Sequence, residues 1–240
     1  MSFSTIVFDC DSTLARVEGI DELAGAHAGE VRALTEGAMA GTIPLEEVYA
    51  RRLQIIRPTR DRVDALGREY AAALVPDARE TVAALRFLGK TVRILSGGLL
   101  PAVQAVAGEL GIAPADVAAV AIHFDAAGGY AGFDAASPLA RSGGKAEVLR
   151  AWSLPRPALL VGDGATDLEA RPAVDAFAAY MGVAFREAVA AGADYVLRDA
   201  SLAPVVALAA DDADRARLAN SPYAELLARG DRMMGRIARS

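Results

Sequence analysis

Thr5-Ile6-Val7-Phe8 is a short apolar, β-branched run that stops on two carboxylates, Asp9 and Asp11. It reads as a buried strand with the acids at its carboxyl end. In an open α/β sheet, that end is where ligands bind. Two carboxylates there can divide a reaction, one attacking phosphorus and the other moving protons. Together they offer hard oxygen ligands for Mg²⁺. Asp and Ser also favour turns, so this motif alone reads equally well as a plain turn after a strand.

Composition narrows the class. The 240 residues are 53% hydrophobic, enough for one large domain or a domain with a smaller insertion. A net charge of −6 argues against a general nucleic-acid surface. The single cysteine excludes an internal disulfide and a cysteine-based structural zinc site. It fits a reducing, cytoplasmic setting. The N-terminal residues lack the pattern of a signal peptide, and no apolar run is long enough to suggest a membrane span.

Glu18 to Tyr70 contains no strand pattern. Its apolar residues follow helical spacing, broken at Gly41-Thr42-Ile43-Pro44. A helical block over 15–75, inserted after the first strand, is placed to act as a lid that excludes water. Pro76-Asp77-Ala78 opens another helix, and Thr91-Val92-Arg93-Ile94-Leu95 reads as a second core strand. Ser96-Gly97-Gly98 follows it before a helix over about 99–110, an arrangement that suits an oxyanion and is also an ordinary loop. Val117 to Phe124 reads as one strand, and Gly128-Gly129 signals a hairpin returning through Phe133. Lys145 opens the next helix, where acids are preferred. It is placed either to hold a phosphate or as a solvated lysine.

Ala158-Leu159-Leu160-Val161 is a third buried strand, and it ends in Gly162-Asp163-Gly164-Ala165-Thr166-Asp167. Parallel strands present their carboxyl ends at one edge, so these polar ends converge. The reading is an α/β fold with a parallel sheet. The core spans 1–14 and 76–210, the helical cap 15–75 and a helical extension 211–240. The extension could pack on the core or on a partner, and nothing in the pattern fixes the oligomeric state. His27 and His123 have no partner pattern and read as structural. Cys10 reads as turned away from the site, because strand side chains alternate.

In this order and spacing, Asp9-Cys10-Asp11-Ser12-Thr13-Leu14, Ser96-Gly97-Gly98, Ser142-Gly143-Gly144-Lys145 and Gly162-Asp163-Gly164-Ala165-Thr166-Asp167 resemble the haloacid dehalogenase-like phosphohydrolase superfamily. Glu18-Gly19-Ile20-Asp21-Glu22, Ala38-Met39-Ala40-Gly41 and Tyr130-Ala131-Gly132-Phe133-Asp134 are similar to its phosphoserine phosphatase branch. The resemblance runs from about Ser4 to Asp199 and implies a Rossmann-like parallel sheet. It implies a cofactor, Mg²⁺, held by the Asp9 carboxylate, the Asp11 backbone carbonyl and Asp163. It implies attack by Asp9 to give an aspartyl-phosphate, with Asp11 as proton donor and then base. Ser96, Gly97 and Lys145 would bind the phosphoryl oxygens, with Thr166 also at the substrate and Asp167 orienting Lys145 or a metal-bound water. In the cap, Glu18 would meet the ammonium of L-phosphoserine, unless it only caps the helix from Gly19. Arg52, or Arg51 in its place, would meet the carboxylate, and Leu45 would supply the hydrophobic contact. The implied partner is thus a small phosphate ester, with no nucleic acid and no membrane. The runner-up is a phosphatase or phosphotransferase of the same core acting on another small metabolite.

Overall fold

The computed structural model describes residues 2–39, 43 and 45–237, without the side chains at 35–39, 45–46 and 236–237. Ala40 and Gly41 of the cap motif, and the Leu45 side chain, lie outside the described residues. In chain order, the elements begin with β1 (Thr5–Phe8), α1 (Gly19–Ala24), α2 (Ala28–Met39), α3 (Leu45–Ile56) and α4 (Arg60–Ala72). Next come α5 (Ala78–Phe87), β2 (Thr91–Leu99), α6 (Leu100–Glu109), β3 (Val117–Val120), β4 (Ile122–Phe124) and β5 (Tyr130–Phe133). Then follow α7 (Gly144–Ala151), β6 (Ala158–Gly162), α8 (Ala165–Ala170), β7 (Ala176–Tyr180), α9 (Glu187–Gly192) and β8 (Tyr195–Leu197). The chain closes with α10 (Ala203–Ala209), α11 (Asp212–Ala219) and α12 (Ala224–Ile237).

Six strands form one parallel sheet in the order β3-β2-β1-β6-β7-β8. Ile6, Val7, Phe8, Ile94, Leu95, Leu159, Leu160, Val161 and Phe177 are fully buried. Strands covered on both faces by helices need such unbroken apolar runs. Each large side chain buried this way stabilises the fold by roughly 1.5–3 kcal/mol. The register decides where the site falls. Phe8 lies beside Ile94 on one neighbour and Val161 on the other. Asp9 and Asp163 therefore follow the ends of β1 and β6, and Ser96 stands within β2, all within a residue or two of the same height.

The helices α1 to α4 intervene between β1 and β2 in the chain. The block is tied down where α4 packs on α6, with Gly67 close against Ala105. Thr59 caps α4 by accepting from the Arg62 N–H at 3.3 Å.

Two local readings are corrected. Ser96-Gly97-Gly98 is not a loop: β2 continues through it to Leu99, and α6 begins at Leu100. The stretch from Val117 to Phe124 is two strands. Val117–Val120 extends the main sheet beside β2, and after Ala121 the chain leaves it, so that Ile122–Phe124 pairs antiparallel with β5. An unbroken apolar run cannot reveal a change of partner.

The extension packs on the core. Gly230 of α12 lies so close to α10 that a Cβ there would sit 2.4 Å from the Ala203 carbonyl oxygen. The buried Lys90 ammonium donates to the Phe3 carbonyl and Ser2 hydroxyl, both at 2.9 Å, and pairs with Asp214 of α11 at 2.8 Å. Arg229 of α12 pairs with Asp77 at the start of α5. Cys10 is a fully buried free thiol within the core. His27 and His123 are surface residues.

Candidate active site

The edge where β1, β2 and β6 end collects buried charge. Asp9 follows β1 at 6% exposure, Asp163 follows β6 at 3%, and Asp167 is fully buried in the first turn of α8. Oxygens of these three carboxylates lie within 4.8 Å of one another. The Lys145 ammonium, at the start of α7, stands 2.8 Å from Asp9 Oδ1 and 2.7 Å from Asp167 Oδ1. Burial acts to lower the Lys145 pKa, but the charges of Asp167 and Asp9 outweigh it, so the ammonium is held firmly protonated. Burial first, and then the charge of Asp9, raise Asp163 and Asp167 above the ordinary carboxylate range. Thr13 donates to Asp163 Oδ1 at 3.1 Å, and the Gly164 N–H donates to Asp167 Oδ2 at 3.0 Å. Gly162 is required here, since a Cβ would sit 2.3 Å from the Asp167 carboxyl carbon.

Three buried carboxylates around one lysine form a hard-oxygen donor set with negative charge left over, which fits a divalent cation. Asp167, read as orienting Lys145 or a metal-bound water, stands within this cluster beside the expected ligands Asp9 and Asp163. The Asp11 carboxylate lies outside it, as suits a residue expected to offer a metal only its backbone carbonyl.

Asp11 is turned toward the helical block. Its Oδ2 accepts from the Gly19 N–H at 3.0 Å, and the Tyr70 hydroxyl also hydrogen-bonds the carboxyl. Gly19 must be glycine, because a Cβ would lie 2.1 Å from that phenol oxygen. Asp11 Oδ1 is buried with no partner. Burial, followed by the charges of Asp9 and Glu18, pushes the Asp11 carboxyl up to about 7. A carboxyl so placed holds a proton near neutrality and has a free oxygen from which to deliver it. Ser96 is fully buried, and its Oγ accepts from the Gly98 N–H at 3.0 Å. Gly97 lies under the Leu139 carbonyl, and Thr166 is half-buried in the first turn of α8.

The family described as haloacid dehalogenase-like hydrolase matches residues 3–175. Phosphoserine phosphatase of Mus musculus is 39% identical over 204 residues, covering 82% of this chain and 90% of that protein. The chain belongs to the haloacid dehalogenase-like hydrolase family. Among solved structures, a phosphoserine phosphohydrolase-like protein from Francisella tularensis superposes with a TM-score of 0.70 at 28% identity, covering 83% of this chain and 96% of that one. A phospho-aspartyl intermediate analogue of phosphoserine phosphatase does so with a TM-score of 0.69 at 25% identity, covering 84% and 96%. Among the described residues, no helix of this hydrolase is long and apolar enough to cross a membrane.

The residues expected to read the substrate are only partly gathered at that edge. Glu18 precedes α1 but makes no capping bond with its side chain. Its Oε1 accepts instead from the Ser12 hydroxyl at 2.6 Å and pairs with Arg186 at 3.2 Å. Arg52 and Arg51 point to different surroundings. The Arg51 side chain is 51% exposed and pairs with Glu47 on its own helix. Arg52 is 17% exposed, pairs with Asp21 of α1, and keeps a buried Nε without a partner.

Arg186 was not legible beforehand. It lies just before α9, far along the chain, yet its guanidinium spans Asp163 Oδ2 at 3.0 Å and Glu18 Oε1 at 3.2 Å. A lone arginine after the fifth strand of the parallel sheet carries no motif. Tyr70 and Thr13 were missed for a related reason, since each reads as an ordinary helix or turn residue until the fold brings it to a carboxylate.

Proposed function

We propose that this hydrolase dephosphorylates L-phosphoserine to L-serine and phosphate through an aspartyl-phosphate on Asp9. The observation that carries the reading is the buried Lys145 ammonium held between Asp9 and Asp167, with Asp163 alongside. The 39% identity to a phosphoserine phosphatase supports L-phosphoserine as the ester. Residues 1–14 and 76–210 serve as the catalytic core, and 15–75 as a cap over it.

In this reading Asp9 attacks phosphorus. Lys145, Ser96 and the Gly97 N–H hold the phosphoryl oxygens, and Thr166 borders them. Asp11 donates its proton to the departing serine oxygen and then takes one from the water that cleaves the acyl phosphate. Asp9, Asp163 and the Asp11 backbone carbonyl would hold Mg²⁺, and Asp167 keeps Lys145 in place. When bound, Mg²⁺ supplies positive charge that offsets the repulsion between a phosphate ester and buried carboxylates. Glu18 receives the substrate ammonium and Arg52 its carboxylate, with Arg51 left on the outer face of α3. The cap excludes water while the acyl phosphate exists. A small free phosphate ester as substrate suits a cytoplasmic enzyme.

The test is phosphate release from L-phosphoserine, phosphothreonine, phosphoethanolamine and phosphoglycerate with Mg²⁺ present. L-phosphoserine should turn over fastest, and a clear preference for another ester would reject the substrate. Parallel assays with added alcohols would reveal a phosphotransferase.

A further inference from the structure

Among the described residues, five buried side-chain polar atoms have no hydrogen-bond partner. Two, on Thr81 and Arg93, belong to α5 and the start of β2. The other three are Asp11 Oδ1, Arg52 Nε and the Tyr49 hydroxyl, and Tyr49 lies within electrostatic reach of both Asp11 and Arg52. Tyr49 and Arg52 are three residues apart on α3, so they share one helix face. The Tyr49 ring packs on Phe133 of β5 with centroids 5.2 Å apart, and the residue is only 7% exposed. Its hydroxyl feels the charges of both Asp11 and Arg52, while burial holds its proton on. The phenol is therefore a neutral donor.

The packing does not explain the oxygen. Phenylalanine would meet Phe133 as well, and a buried hydroxyl without a partner is destabilising. Arg52 gives one guanidinium nitrogen to Asp21 and keeps Nε–H unused. Two idle donors on one helix face, one of them charged, suit a negatively charged acceptor. The phosphoryl group is provided for at the sheet edge by Lys145 and Ser96, which leaves the other end of the substrate.

We propose that Tyr49 is a specificity residue whose hydroxyl joins Arg52 Nε–H in donating to the carboxylate of a small phosphorylated amino acid. The inference rests on the phosphoserine reading and adds a second donor to it. Its test is Tyr49→Phe, which keeps the ring and removes one atom. For L-phosphoserine, kcat/KM should fall about 10- to 100-fold, carried mainly by KM. Hydrolysis of phosphoethanolamine, which lacks the carboxylate, should change less than about twofold. On an Arg52→Ala background the same change should have much less effect, because both donors serve one group. Without substrate, the variant should melt at the same or a higher temperature, since it loses an unpaired hydroxyl. Equal loss on both esters, no loss on either, or a lower melting temperature would overturn the inference. A wild-type enzyme indifferent between the two esters would reject the phosphoserine reading itself, and this inference with it.

Discussion

Asp9 Oδ1 lies 2.8 Å from the Lys145 ammonium, which brings the end of β1 against the start of α7 with both side chains largely buried. The same ammonium is 2.7 Å from Asp167. Lys145→Met removes the one buried cation from a cluster of carboxylates. Turnover should be lost, because the phosphoryl group loses its charged partner. Breaking a buried pair costs about 3–5 kcal/mol. The metal-free variant should therefore unfold at clearly lower denaturant than wild type at pH 7.5, as followed by circular dichroism. Unchanged stability would mean that the ammonium does not hold the cluster together.

The two aspartates of the first motif should fail differently. Asp9→Asn should abolish turnover of every ester, since an amide cannot form the acyl phosphate. Asp11→Asn should lower phosphoserine turnover by ~10²–10⁴-fold through loss of proton transfer. Burial, with the charges of Asp9 and Glu18, pushes the Asp11 carboxyl up to about 7, so in the proposed role it carries the proton to be donated below that pH. In the wild type, kcat/KM for phosphoserine should therefore fall as pH rises through about 7. An aryl phosphate, whose leaving group needs no proton, should show a weaker fall and suffer less from Asp11→Asn. Identical losses on the aryl and alkyl esters would remove the proton-donor role.

The core of this site was legible because each part lies close to the end of an apolar run or opens a helix. Periodicity located β1, β2 and β6, and their parallel arrangement required Asp9, Ser96 and Asp163 to share an edge. The helical block between β1 and β2 was less legible. Arg51 and Arg52 are adjacent on one helix, and only packing against Asp21 distinguishes the inner from the outer one. Tyr49, Tyr70 and Arg186 act through contacts across long stretches of chain, and no local pattern marks them. The division at Ala121 and the docking of α12 were also hidden, because both depend on which surface a segment meets.

Asp11, Asp163 and Asp167 are all raised by burial and by neighbouring carboxylates. For such groups the native state binds more protons than the unfolded chain. Stability therefore falls as pH rises, beginning near the ordinary value of 3.8 and continuing through about 7 for Asp11. The melting temperature of the metal-free protein should drop between pH 5 and pH 8, where burial of ionised carboxylates is costly. Mg²⁺ should raise it, and by more at pH 8 than at pH 5. Differential scanning calorimetry with chelator and with Mg²⁺ gives both curves. A Mg²⁺ increment that is the same at both pH values would place the cation away from these carboxylates.

Arg186 bridges Asp163 and Glu18 with one guanidinium, so it competes with any cation that Asp163 attracts. Its side chain is 38% exposed, and solvent screens its charge. A pair of that kind is worth about 0.2–1 kcal/mol. At ~1.4 kcal/mol per tenfold, Arg186→Met should tighten Mg²⁺ binding to the substrate-free enzyme by up to about fivefold. Titration calorimetry measures this without turnover. The variant should also melt below wild type in chelator and approach it in saturating Mg²⁺, because the metal then supplies the missing positive charge. High salt should shrink the difference, as screening weakens the arginine's share. An equal melting deficit with and without Mg²⁺, together with unchanged affinity, would make Arg186 a strut between the β7–α9 loop and the base of the cap.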